Sequence, residues 1–200
     1  MDDKILIIAN GPSILKQKFG IEINKFDEVA RINNYKINNF DEYIGSKTTI
    51  WFNGGNQNLK KNISIPKKVF VFIPYDILNR KEEKIKKQLP NRLGIKPADY
   101  IIVKKENMKQ YESKSNIKRP TTGFNSILWA IENYKNVIIH GFDFFQDGKE
   151  HYYDSNFIKK ISNLKIMKKA GKHNNIDEKK FVQLLIEQNK VIKLSDFLKR

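Results

Sequence analysis

The chain has 200 residues, 40% of them hydrophobic, enough for one substantial domain with a packed core. It contains no apolar run of 18 residues, which argues against a transmembrane helix, and no cysteine, which excludes disulfides and thiolate metal sites and fits the cytoplasm. The formal net charge is +16, with twelve basic against four acidic residues after Asp154. Such a balance suits a polyanionic partner (nucleotide, anionic glycan, membrane surface or nucleic acid) as readily as a solvated surface in a chain rich in Lys, Asn and Ile.

The acidic start and short apolar run of MDDKILIIANG pass straight into a Gly-Pro turn, so residues 4–9 read as a first strand and not as a signal peptide. Further apolar runs predict strands at 27–32, 48–52, 68–73, 100–103, 136–142 and 191–194. These runs are continuous, not alternating, which indicates strands covered on both faces. Residues 76–88 are charged and free of Gly and Pro, and read as a helix. From Thr122 to Tyr134, Phe124, Ile127, Leu128 and Ile131 share one helix face, with Thr122 as the expected N-cap. Phe181, Leu184 and Leu185 mark a last helix over 176–189. The polar, Lys-rich stretch 104–120 is expected to be a mobile loop. The alternation predicts a single α/β domain over 1–200, Rossmann-like, with a mainly parallel sheet of about seven strands flanked by helices.

Five polar clusters follow these elements. Asn10-Gly11-Pro12-Ser13 ends the first strand: Gly11 permits a sharp turn, Pro12 can open a helix, and the amides there suit a phosphate or sugar. An ordinary strand-to-helix turn fits the same residues. Arg31-Ile32-Asn33-Asn34 ends the second strand, on the same sheet edge in a parallel arrangement. Asn33 offers a donor and an acceptor for a base or ribose, although Asn is common in this chain. Pro120-Thr121-Thr122-Gly123 opens a helix, where hydroxyls and free amides suit an anion as well as a cap. His151-Tyr152-Tyr153-Asp154 can donate hydrogen bonds to a phosphate, or pack as a surface aromatic cluster. His173 has the chemistry of a general base for a hydroxyl, or is a solvated loop histidine. Glu178 completes the pattern Asn175-x-x-Glu178, a capping box, and is expected to cap the last helix more than to catalyse. No metal site is expected, since the three histidines lack i, i+4 spacing and Asp143 and Asp147 form no Asp-x-Asp.

Together these segments resemble the animal-type sialyltransferase family, whose four ordered motifs all have counterparts here. Residues 4–51 resemble its long motif and PTTGFNSILWAIENYKNVIIHGFD its short motif. His151 to Asp154 match its His-Tyr-aromatic-acid motif, and His173 with Glu178 its His-x4-Glu. The chain is similar, too, to the bacterial lipo-oligosaccharide sialyltransferases, through the Asn-Gly-Pro-Ser turn, Arg119 to Gly123, the Gly141 to Gln146 strand end and a late histidine. The resemblance leaves out roughly residues 55–115.

The resemblance implies a variant of the GT-A glycosyltransferase fold and a metal-independent, inverting transfer of sialic acid from CMP-sialic acid to a glycan or glycolipid hydroxyl, with no cofactor. It implies that Asn10, Gly11, Asn33, Thr121, Thr122 and Gly123 line the nucleotide pocket. His151, with Tyr152, would bind the donor phosphate, and His173 would be the general base. Asn53 and Arg119 match positions near the donor in the bacterial group. That group has a Tyr where Phe145 stands here, so any phosphate contact by that phenol is lost or passes to Tyr152 or Tyr153. The animal enzymes also carry a disulfide between their first two motifs, and a membrane anchor and stem, none of them expected here. The alternatives are a transferase of another CMP-activated acidic sugar such as Kdo, or a non-catalytic nucleotide- or nucleic-acid-binding module. The chain lacks a recognised nucleic-acid motif, so no nucleic-acid partner is expected. A cytoplasmic location with peripheral contact to an anionic membrane would fit the basic C-terminal part.

Overall fold

The structure, a computed structural model, describes residues 2–56, 64–143, 151–153 and 175–200. The strands are β1 (Asp2–Ile8), β2 (Val29–Ile32), β3 (Ile50–Asn53), β4 (Lys68–Val71), β5 (Ile101–Ile102), β6 (Tyr134–His140) and β7 (Val191–Lys193). The helices are α1 (Gly20–Asn24), α2 (Asp41–Ile44), α3 (Tyr75–Leu93), α4 (Lys105–Ser115), α5 (Thr122–Asn133), α6 (Asn175–Glu187) and α7 (Leu194–Phe197), with 3-10 turns at Pro12–Lys16 and Pro97–Asp99. Each of these seven strands overlaps an apolar run read from the sequence, with β1 and β6 starting two residues earlier than expected and β3 ending one residue later. They form one sheet, parallel throughout, in the order β5-β4-β3-β2-β1-β6-β7. The α/β, Rossmann-like architecture is therefore as the sequence predicts.

The continuous apolar runs follow from burial on both faces. In β1, Ile5 and Ile7 pack with Phe124, Ile127 and Leu128 of α5 and with Val182 and Leu185 of α6. The intervening Leu6 and Ile8 pack on the opposite side with Ile14, Ile23, Ile44 and Leu194. Each such fully buried side chain contributes about 1.5–3 kcal/mol relative to exposure.

Residues 105–115 form α4 where the sequence suggests a mobile loop. Met108 and Tyr111, three residues apart, are fully buried, and the Tyr111 hydroxyl donates to Glu132 Oε2 at 2.7 Å. Two anchors on one face suffice to hold a helix whose other positions are mostly Lys, Glu, Gln and Ser. Helix α3 runs five residues past its expected end. It passes Pro90 and stops at Gly94, whose left-handed φ of 73° ends the helix with a bond from its N–H to the Pro90 carbonyl.

Strands β2 to β5 lie on one side of β1, and β6 and β7 on the other. The winding direction thus changes between β1 and β6. In open parallel sheets, ligands bind in the crevice outside the strand ends at such a point.

Candidate active site

The register puts Ile8 beside Arg31 in β2 and beside His140 in β6, so three strands end level with one another. Their exits carry Ala9 to Gly11, Asn33 and Gly141 to Asp143. With Ile32, Thr121 to Gly123, His151 and Glu178, these residues line a cleft of about 110 Å³.

Glycine is required at two seams of this cleft. Gly141 has a φ of 74°, and a Cβ there would sit 2.3 Å from Ile14 Cγ2. Gly11 donates its N–H to the Gly141 carbonyl at 2.9 Å, and a Cβ on it would lie 2.5 Å from Asp143 Cγ. The Asp143 carboxylate accepts the Ser13 N–H at 2.8 Å and the Ser13 hydroxyl, fastening the turn after β1 to the exit of β6.

The carboxamide nitrogen of Asn10 donates to the carbonyls of Ile32 at 2.9 Å and Asn34 at 2.8 Å, which ties the β1 exit to the β2 exit. Both amide hydrogens are thereby used, and the side-chain oxygen is its remaining polar atom. Asn33 sits at φ 50°, a left-handed conformation that Asn tolerates better than most residues. Three bonds hold it: its N–H donates to Phe52 O at 2.7 Å, its Oδ1 accepts Gly54 N–H at 2.9 Å, and its carbonyl accepts Trp51 Nε1–H at 2.8 Å.

Thr121, not Thr122, is the N-cap of α5, its Oγ1 accepting the Phe124 N–H at 3.2 Å. The N–H groups of Thr122 and Gly123 belong to the first turn, which has no intrahelical acceptors for them. They lie on residues that line the cleft, where the positive end of the helix favours negative charge. Glu178, expected to cap the last helix, has its carboxylate on α5. It accepts the N–H and the hydroxyl of Thr121, both at 2.7 Å, while only 1% exposed. It thus joins the starts of α5 and α6 at the cleft floor.

The structure brings together Asn10, Gly11, Asn33, Thr121, Thr122, Gly123 and His151. His173 lies outside the described residues, two positions before α6. Three other residues stand off the cleft lining. Asn53 is fully buried, with Oδ1 accepting Gly55 N–H at 2.7 Å and Nδ2 unpartnered. The guanidinium of Arg119 is paired with Asp76 at the start of α3. The Tyr152 phenol is buried against Lys36, whose N–H it accepts at 2.8 Å and to whose carbonyl it donates at 2.5 Å; to donate to a phosphate it would have to give up the bond to that carbonyl. Burial pushes that phenol up to about 12, so it stays protonated at neutral pH.

Asp143, Ser13 and Glu178 are the site residues whose jobs sequence reasoning missed. The Ser13–Asp143 pair spans 130 positions, and only the Gly-Pro turn and the Gly-x-Asp strand end hint at it. Below the cleft, burial holds the His140 imidazole down at about 4, and its Nε2 is buried without a partner. Among the described residues no cluster of three His, Asp or Glu is placed to hold a metal ion, and no helix is long and apolar enough to cross a membrane.

Similarity to known proteins runs over most of the chain. The profile of glycosyltransferase family 29 (sialyltransferase) matches residues 4–190. The type 2 lactosamine alpha-2,3-sialyltransferase of Rattus norvegicus is 23% identical over 231 residues, covering 96% of this chain and 64% of that protein. The Homo sapiens protein of the same name is 24% identical over 230 residues, with the same coverage. The crystal structure of a mammalian sialyltransferase in complex with Gal-beta-1-3GalNAc-ortho-nitrophenol shares the fold, with a TM-score of 0.71 at 18% identity over 96% of this chain and 69% of that one. The chain thus spans about 64% of the length of these curated relatives. It belongs to glycosyltransferase family 29, the sialyltransferase family.

Proposed function

We propose that the chain transfers sialic acid from CMP-sialic acid to a glycan hydroxyl, with inversion and without a metal ion. The observation that carries this reading is the meeting of Asn10, Asn33, Thr121 to Gly123 and His151, from four separate stretches of sequence, in one cleft at the switch point of the sheet. Asn10 and Asn33 contact the nucleotide. The first-turn amides of α5 and the His151 imidazole face the phosphate and offset the charge that grows on it as CMP departs. His173 takes the proton from the acceptor hydroxyl while its oxygen bonds to the anomeric carbon and the bond from that carbon to the phosphate oxygen breaks. The names of the relatives suggest lactosamine and Gal-beta-1-3GalNAc as first acceptor probes.

CMP release from CMP-sialic acid, with and without these acceptors, tests the reading. Acceptor-dependent release with a new sialylated product supports it. Release from CMP-Kdo alone would reassign the donor, and oligonucleotide binding without any release would favour a binding module. Thermal shifts with cytidine, uridine and guanosine nucleotides rank the bases, since a ligand that binds only the folded state raises its stability. The excess of basic residues after Asp154 suits an anionic membrane or a lipid-linked acceptor by charge. Salt-sensitive flotation with anionic vesicles checks this, and its absence counts against it.

A further inference from the structure

We propose that Tyr152 and Tyr153 are positioning residues that clamp the exit loop of β2, residues 33–36, and so hold Asn10, Asn33 and His151 in the arrangement that the donor meets. This rests on the donor reading above. Three segments distant in sequence are knotted at this point. The Tyr152 phenol takes both backbone groups of Lys36, as acceptor from its N–H and donor to its carbonyl. The Tyr152 N–H donates to the Asn10 carbonyl at 2.9 Å. The hydroxyl of Tyr153 donates to the Asn34 carbonyl at 2.9 Å, the same oxygen that receives the Asn10 carboxamide. The Tyr153 ring stacks on His151, centroids 5.2 Å apart and planes 17° from parallel.

The loop needs such a clamp. Asn33 is left-handed, and a residue held in a sparsely populated conformation persists only where its surroundings over-determine it. β2 ends at Ile32, so Asn34 to Lys36 lie beyond its strand. The two phenols take their places, and one of them also fixes the plane of a cleft imidazole. Their contribution is to the geometry of binding, through Asn10, Asn33 and His151, with no contact of their own to the reacting atoms.

The test uses the full chain with CMP as the probe. Tyr152→Phe removes one oxygen and is expected to weaken CMP binding about tenfold by calorimetry. The donor KM should rise by a similar factor while kcat stays within about twofold of the parent. Tyr153→Phe keeps the stack on His151 and loses the hydroxyl, with an expected effect of about threefold in the same direction. A fall in kcat at unchanged donor KM in Tyr152→Phe would assign its phenol to the departing phosphate and overturn the clamp, as would parental values of both constants in both variants. Hydrogen exchange reads the loop without any ligand. Loss of protection at the Lys36 amide in Tyr152→Phe, at equal global stability, is expected, and unchanged protection overturns the proposal. If the parent neither binds CMP nor releases it from a donor, the donor reading falls while the exchange result still decides the clamp. Should Tyr152→Phe fail to fold, Tyr153→Phe supplies both measurements, with exchange read at residues 34–36.

Discussion

The two faces of the sheet are held by different physics. On the face covered by α3 to α6, Phe52, Phe70, Phe72 and Trp129 meet in tilted and edge-on contacts with centroids 4.4–6.0 Å apart. On the other face Arg31, 1% exposed, donates to the carbonyls of Ile44, Gly45 and Lys47 at 2.7, 2.8 and 3.1 Å and to Thr48 Oγ1 at 2.8 Å. The Tyr35 ring centroid lies 5.5 Å from it. Burial lowers the guanidinium to about 10, so it remains charged at neutral pH, and no carboxylate among the described residues pairs with it. Apolar packing is non-directional and fixes volume. A buried cation held by carbonyl dipoles fixes where a loop must run, at a desolvation cost, to which the unpartnered Nη1 of Arg31 adds. The cleft draws on both: Thr121 to Gly123 and Glu178 come from helices of the apolar face, while Asn33 follows Arg31 by two positions.

That contrast can be broken from either side. The largest expected effect is on chemistry: His173→Ala should lower turnover by about 10²–10⁴-fold with CMP affinity and stability kept. Near-normal turnover would remove His173 from the base role. Next comes the apolar face. Phe52→Ala should destabilise by about 3–5 kcal/mol in urea unfolding while the folded fraction binds CMP as before, and a matching loss of affinity would show that the two faces are not separable. Arg31→Lys keeps the charge and loses the fork. It should cost about 1–3 kcal/mol and also weaken CMP binding, which calorimetry on the folded variant would detect.

The smallest expected effect is a pH dependence. The His140 imidazole is held below its ordinary value of 6.5, at about 4, chiefly by burial. The unfolded chain therefore takes up this proton more readily than the folded one. Full stability is present above about pH 6.5 and is lost as the pH falls towards 4, by roughly 2 kcal/mol at pH 5. His140→Phe should flatten that part of the stability profile, and urea midpoints at pH 7.5 and pH 5 in both proteins would show it.

The sheet was legible because burial on both faces writes each strand as an apolar run that needs no partner to be recognised. Helix α5 was legible for a similar reason, its stripe being local. Helix α4 was not, since Met108 and Tyr111 are diluted among lysines and their burial depends on Glu132 and the neighbouring helices. The cleft residues at strand ends were legible from topology and motif. Their supports were not: Ser13 with Asp143, Glu178 with Thr121, and Tyr152 with Lys36 are pairs 57 to 130 positions apart. In one dimension a carboxylate three places into a helix is a capping residue. Only the fold shows that it reaches a different helix.

The pairing of β1 with β6 has a consequence for biosynthesis. The partner of Ile8 is His140, so β1 leaves the ribosome well before the strand that covers its inner edge. At about 5–20 residues per second, that interval is on the order of ten seconds. During it, Ile5 to Ile8 present an unpaired apolar strand edge of the kind that templates aggregation. Slowed translation between β5 and β6, or depletion of chaperones, is expected to lower soluble yield before it alters the protein that does fold.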